Sequence, residues 1–217
     1  MVKKHDFVLI ETFLFIPGSG YRYLPLHLRR LEDSSRYFNF TFCRGKLLNH
    51  LQQFQIRLPG HRLSKVRLCL HQDGRTELTT TSIYDAKAYY NYKRVIFSDY
   101  QTDAADVFYY HKTSNRSLYN QEYQHFCIEQ DYYEVLFCNQ QHFLTEGSRT
   151  NVFLKLPHDQ YIYTPDSASG LLSGIARARL LTVLPHIKET CLTREHVYQA
   201  EKIWLSNSVR GMVRVFV

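Results

Sequence analysis

The chain lacks the cysteine pairings that would hold a metal or a secreted framework. Its five cysteines, Cys43, Cys69, Cys127, Cys138 and Cys191, include no C-x-x-C pair, so no zinc or other metal site is expected. An odd count without a secretory signal points to reduced thiols in a cytoplasm. Long hydrophobic runs are missing too. Nothing approaches the ~18 apolar residues that read as a membrane span, so no membrane partner is expected. Lys3 and Lys4 precede an apolar run, as in a signal peptide, but Glu11 interrupts it and no small-x-small cleavage site follows. No run of Lys or Arg exceeds two residues, and there is neither an internal repeat nor a low-complexity segment.

What is present is a 217-residue chain, 44% hydrophobic and 22% charged. That is enough for one large domain or two small ones sharing a cleft. Aromatics, at 15%, predict an aromatic-rich core. The net charge of +7 admits three readings: a basic surface without a partner, a positive cleft for anionic ligands, or a nucleic-acid patch. Because the cations are scattered, they rank in that order, and no nucleic-acid partner is expected.

The patterning predicts a mixed α+β chain. Phe7 to Ile16 reads as a buried strand, and Pro17 to Gly20 as a turn. Leu28, Leu31 and Ser34/Ser35 predict one face of a helix over Leu26 to Phe38, and a second helix is expected over Leu47 to Phe54. Val66 to Leu70 and Thr76 to Thr81 predict strands around a Gln72-Asp73-Gly74 turn. Ile96 to Tyr110, polar at its centre, is expected to link a subdomain 1–105 to a subdomain 106–217. A helix over Asn115 to Phe126, with Ser114 or Asn115 as N-cap, follows. Then come a hairpin of Glu134 to Cys138 and Gln141 to Thr145 around Asn139-Gln140, and strands at Asn151 to Leu156 and Tyr161 to Tyr163. A helix over Ile175 to Leu184 and strands at Ile203 to Ser206 and Met212 to Val217 complete the pattern.

Three segments carry chemistry in combination. Lys112 lies in Y-H-K-T-S-N-R, between a strand-like stretch and a helix. A lysine held on a rigid element and partly desolvated has an amine available near neutral pH, although locally a plain surface lysine would look the same. Glu146 lies in T-E-G-S-R-T-N-V-F after an apolar stretch. A carboxylate so placed can keep a pyridine nitrogen protonated, where its alternative is a surface turn. In G-L-L-S-G-I-A-R, Gly174-Ile175 at a helix start offers free N–H groups and the helix dipole to a phosphate. Gly170 gives turn freedom, and Leu172 is placed to lie against a flat ring. Arg30, in H-L-R-R-L, can clamp a phosphate through its fork of donors, and Ser206-Asn207-Ser208 offers hydroxyls.

In order, these pieces resemble the class IV aminotransferases, the fold-type-IV pyridoxal 5'-phosphate (PLP) enzymes. I-E-T-F near the start, H-L-R-R-L-E-D-S-S-R-Y-F and S-N-S-V-R-G look most like the aminodeoxychorismate lyase subgroup. The resemblance implies two subdomains with the cofactor in the cleft between them, and a homodimer. It implies Lys112 as the PLP lysine and Glu146 as the pyridine-nitrogen partner. Arg30, the amides at Ile175 and Ala176 after Gly174, and Ser208 would bind the phosphate, and Leu172 would pack on the ring. The activity implied converts 4-amino-4-deoxychorismate to 4-aminobenzoate and pyruvate. Thr12 would be a proton donor, and Arg116 or Arg149 would pair with a carboxylate of the small anionic substrate. The alternative is an aminotransferase for D- or branched-chain amino acids. A third reading, with the PLP fold retained only to bind a partner, is motivated by the missing D-R-G…G-D-G hairpin of the family. Ala176 also departs from the family's usual Thr.

Overall fold

The computed structural model describes residues 7–83 and 93–217; Lys3 and Lys4 lie outside them. The described residues form two compact units, one of residues 7–83 with His111–Asn115, the other of residues 93–110 with Arg116–Val217.

The first unit is built on β1 (Leu9–Ile16), β2 (Gly20–Tyr21), α1 (Leu24–Tyr37), α2 (Arg44–Gln55), β3 (Ser64–Leu70) and β4 (Thr76–Ser82). Its sheet runs β2-β1-β3-β4, antiparallel throughout. Alternation puts Leu9, Phe13 and Phe15 of β1 into a core with Leu28, Leu31, Leu47, Leu51, Val66 and Leu68. α1 begins two residues earlier than expected because Pro25 sits in its first turn, where a fixed φ favours the helix. Its buried face is the expected one, extended by His27. Gly74, at φ 88°, makes the turn between β3 and β4 where the Gln72-Asp73-Gly74 signal places it.

The second unit holds β5 (Val95–Thr102), α3 (Ser117–Glu122), β6 (Glu134–Asn139), β7 (Leu144–Gly147), β8 (Asn151–Lys155), β9 (Ile162–Pro165), α4 (Ile175–Val183), β10 (Ile187–Thr190), α5 (Arg194–Gln199), β11 (Lys202–Asn207) and β12 (Gly211–Val215). A three-stranded sheet runs β5-β6-β7 and a five-stranded sheet β10-β9-β8-β11-β12. Val95, Phe97, Leu136, Val152, Leu154, Ile203 and Leu205 share one core. The fold is mixed α+β, as the patterning predicts.

Three expectations are corrected, and two elements lie outside them. Ile96 to Tyr110 is not simply a link, since β5 pairs in parallel with β6 on both sides of a register shift between Phe97 and Gln101. Its polar side chains are largely solvent-facing, and buried Ser98 gives its hydroxyl to Glu122 at 2.5 Å, so side-chain polarity hid a strand that backbone bonding supports. Neither Ser114 nor Asn115 caps a helix. Ser114 Oγ accepts the Val8 N–H at 2.9 Å, and α3 begins at Ser117 and continues as a π-helix over Tyr123–Glu129. The strand expected from Gln141 starts at Leu144, because Asn139 Oδ1 accepts the N–H groups of Gln141 and Phe143, each at 3.0 Å, and holds a wider turn. β10 and α5 were not expected at all; the Thr193–His196 capping box that starts α5 uses a histidine where the usual signature has Glu or Gln.

Candidate active site

In the first unit, strand alternation sets Glu11 on the α1 side of β1 and Thr12 on the opposite face. Glu11 is 1% exposed. Its carboxylate accepts Arg30 Nε at 2.8 Å and Nη2 at 2.7 Å, and lies 2.6 Å from His27 Nδ1. Burial alone would raise its pKa, but the Arg30 and His27 charges and hydrogen bonds overcome this and lower it to about 2. A carboxylate fixed from three sides thereby fixes the Arg30 guanidinium.

Lys112 belongs to this unit. Its carbonyl accepts the Ile10 N–H at 2.8 Å, and the Ser114 N–H reaches Val8 O at 2.9 Å. Leu9 stands opposite Thr113 in an antiparallel bridge. The lysine is therefore half-buried on a strand-like segment laid against β1. Its neighbour His111 anchors that segment, packed against the Tyr37 and Phe38 rings and 2.9 Å from Ser34 Oγ.

In the second unit, Glu146 near the end of β7 is 5% exposed. It accepts from Tyr119 Oη at 3.3 Å and from Asn151 Nδ2 at 3.1 Å. Burial, followed by the charge of Glu146, holds the Tyr119 phenol well above its usual pKa, so Tyr119 stays a donor. Asn151 Nδ2 also donates to Leu172 O at 2.9 Å, and Asn151 Oδ1 packs directly on Gly174. Glu146, Leu172 and Gly174 thus meet around one asparagine, and Ile175 and Ala176 follow Gly174 as the first residues of α4. Ser206 pairs with Asn151 across β8 and β11, and half-buried Ser208 follows in the turn after β11. Asn151, Tyr119 and Glu134 are not among the site residues expected from sequence. Asn151 was readable as the last polar position of T-E-G-S-R-T-N, but nothing local marks Tyr119 or Glu134.

Arg116 Nη2 donates to Ser148 O, and its Nε reaches Asn120 Oδ1 at 3.1 Å. Burial lowers its pKa, and the nearby Glu146 charge opposes this; a guanidinium remains charged in any case. Arg149 is exposed and stacks on Tyr123, with its guanidinium carbon 3.5 Å from the ring centroid.

These groups fit a cofactor with a ring nitrogen and a phosphate. Tyr119 and Asn151 give the buried carboxylate neutral hydrogen-bond donors. No side chain caps the start of α4, which leaves its first N–H groups for a ligand. Ser206 Oγ, in a 1% exposed residue, has no hydrogen-bond partner among the described residues. A Cβ on Gly174 would overlap Asn151 Oδ1 and lie 3.1 Å from Asn151 Cγ. Gly174→Ala is expected to displace Asn151 and destabilise the fold by about 1–3 kcal/mol, read as a lower thermal unfolding midpoint. An unchanged midpoint would show that the close approach is dispensable.

No curated protein matches the chain, but solved structures do. A candidate amino-acid aminotransferase from Mesorhizobium loti is 27% identical, with a TM-score of 0.88 over 97% of this chain and 99% of that one. A candidate 4-amino-4-deoxychorismate lyase from Legionella pneumophila is 26% identical, with a TM-score of 0.80 over 96% and 81%. A hypothetical aminotransferase from Mycobacterium tuberculosis, solved in a PLP-bound form, shares the fold at 17% identity and a TM-score of 0.80, over 96% and 80%. The family model for amino-transferase class IV matches residues 8–216, and the chain therefore belongs to the class IV aminotransferases, a family of PLP enzymes.

Proposed function

We propose that the chain is a PLP-dependent lyase that converts 4-amino-4-deoxychorismate to 4-aminobenzoate and pyruvate. The observation that carries the cofactor half of this reading is Glu146, a buried carboxylate fixed by Asn151 and Tyr119 beside an uncapped helix start. The lyase half is supported by the I-E-T-F, H-L-R-R-L and S-N-S-V-R-G segments and by the likeness to the Legionella structure.

When bound, PLP supplies an electron sink for charge developing on the substrate carbon that bears nitrogen. Glu146 would keep the pyridine nitrogen protonated. By the family resemblance, the N–H groups of Ile175 and Ala176 after Gly174, the Ser208 hydroxyl and Arg30 would hold the phosphate, and Leu172 would lie on the ring face. Lys112 would hold the cofactor through its Nζ, and the same Nζ would take the proton from the ring carbon bearing the substrate amine. The bond from the ring to the enolpyruvyl oxygen would break, Thr12 would give a proton to the enolpyruvyl methylene to complete pyruvate, and the proton taken up by Lys112 would restore the Thr12 hydroxyl. Arg116 and Arg149 pair with the substrate carboxylates. The proposal extends to a cytoplasmic homodimer with a small anionic substrate. Among the described residues no helix is long and apolar enough to cross a membrane.

The second reading, an aminotransferase for D- or branched-chain amino acids, is favoured by the nearly end-to-end match to the Mesorhizobium structure. One experiment separates them. PLP-loaded protein given 4-amino-4-deoxychorismate is expected to release 4-aminobenzoate and pyruvate in equal amounts. Absence of 4-aminobenzoate, with an amino acid alone converting PLP to its pyridoxamine form, would replace the first reading with the second.

A further inference from the structure

Glu134, at the start of β6, is 2% exposed and has no part in the chemistry above. Its carboxylate accepts four hydrogen bonds. Oε1 receives Ser148 Oγ at 2.5 Å and the Val135 N–H at 3.1 Å; Oε2 receives Thr150 Oγ1 at 3.0 Å and the Arg149 N–H at 3.1 Å. All its lone pairs are engaged, and two of the four donors are backbone N–H groups that cannot reverse their role.

Three of the four donors lie in the short excursion between Glu146 and Asn151. That excursion closes on itself through Gly147 N–H to Thr150 O at 2.8 Å, and Ser148 N–H binds Val135 O at 3.0 Å. A Cβ on Gly147 would meet Glu134 Cγ at 2.7 Å, so the loop is wrapped tightly on the carboxylate. The two residues that the excursion joins are themselves bonded, Asn151 Nδ2 to Glu146 Oε2 at 3.1 Å. Arg116, in turn, holds the outer side of the loop at Ser148 O. Whatever fixes residues 147–150 therefore fixes the separation of Glu146 from the amide that orients it.

We propose that Glu134 is a positioning residue that acts through Glu146: a buried carboxylate around which the loop is folded so that the Glu146 carboxylate is held at the pyridine nitrogen. This rests on the reading of Glu146 as the partner of that nitrogen. A Gln at position 134 keeps the volume but turns an NH2 toward groups that donate, so the loop has to reopen. An orienting partner at a metal site is felt at tenfold or more in ligand affinity, and the same scale is expected here.

The test is a double-mutant cycle read by PLP titration of the apoprotein, independent of turnover. Glu134→Gln is expected to weaken PLP binding about tenfold in the otherwise unchanged protein, and less than about twofold in a Glu146→Gln background. Equal weakening in both backgrounds, or none in the first, overturns the proposal. If Glu146→Gln alone leaves the affinity at its original value, the reading of Glu146 falls and takes the proposal with it. Ser148→Ala removes one of the four bonds without placing a donor in the core. It serves the same cycle if Glu134→Gln does not fold, with a smaller factor but the same dependence on Glu146.

Discussion

Replacing Lys112 with alanine is expected to abolish the lysine–cofactor adduct that borohydride would trap and to lower turnover by roughly 10²–10⁴-fold, the range that a positioned proton-transfer group contributes. The expectation rests on where the lysine is held. Its backbone carbonyl bonds Ile10 and its neighbours bond Val8, so the segment stays on β1 when the side chain is cut back. The loss is then chemical rather than a failure to fold, and circular dichroism of the variant should match the parent. Peptide mass spectrometry after borohydride reduction reads the site directly. An adduct on another lysine, or turnover that survives the substitution, would remove Lys112 from the role.

Acidification should release the second large effect, in stability. Glu11 has its pKa lowered from 4.5 to about 2 in the folded protein, with burial opposing and the Arg30 and His27 interactions prevailing. A lowered folded value means that the ionised form is preferred in the native state. Its contribution is complete above pH 4.5 and drains away as the pH falls toward 2. At 1.36 kcal/mol per unit the contribution is about 3 kcal/mol. The stability difference between the parent and Glu11→Gln, from urea unfolding at a series of pH values, should therefore narrow below pH 4.5. A difference that stays constant down to pH 2 would contradict the assignment. Because Glu11 grips Arg30 with both oxygens, the same variant should also bind inorganic phosphate and PLP more weakly.

Periodicity made the helices and most strands legible, because one face of α1 and alternate positions of β1 and β3 go into a core. It failed where side-chain polarity and backbone role part company. In β5, Asp99, Tyr100 and Gln101 are exposed where the register shifts between Phe97 and Gln101, while the backbone pairs with β6 on both sides of that irregularity, and in the turn after β6 one asparagine takes two N–H groups from the ladder. At the site, local motifs brought out Glu146, Gly174 and Arg30, since a carboxylate before a glycine, a glycine before a helix and an arginine on a helix face are local patterns. Lys112 stands out only in combination with those motifs, since locally it reads like a surface lysine. The partners that fix them are remote in sequence. Tyr119 reaches Glu146 from α3, Glu134 reaches Ser148 from β6, and Glu11 reaches Arg30 from β1, and no window of sequence holds both members of such a pair.

The lysine's place against β1 also orders events on the ribosome. Leu9 and Thr113 stand opposite one another, so roughly a hundred residues must be synthesised before β1 receives its last neighbour. Until then the Ile10 N–H and the Val8 carbonyl are an open strand edge on a nascent chain. A chaperone that caps such edges would act on this stretch early in translation, and a split of the gene after the first unit's contiguous part would leave its lysine encoded in the other half.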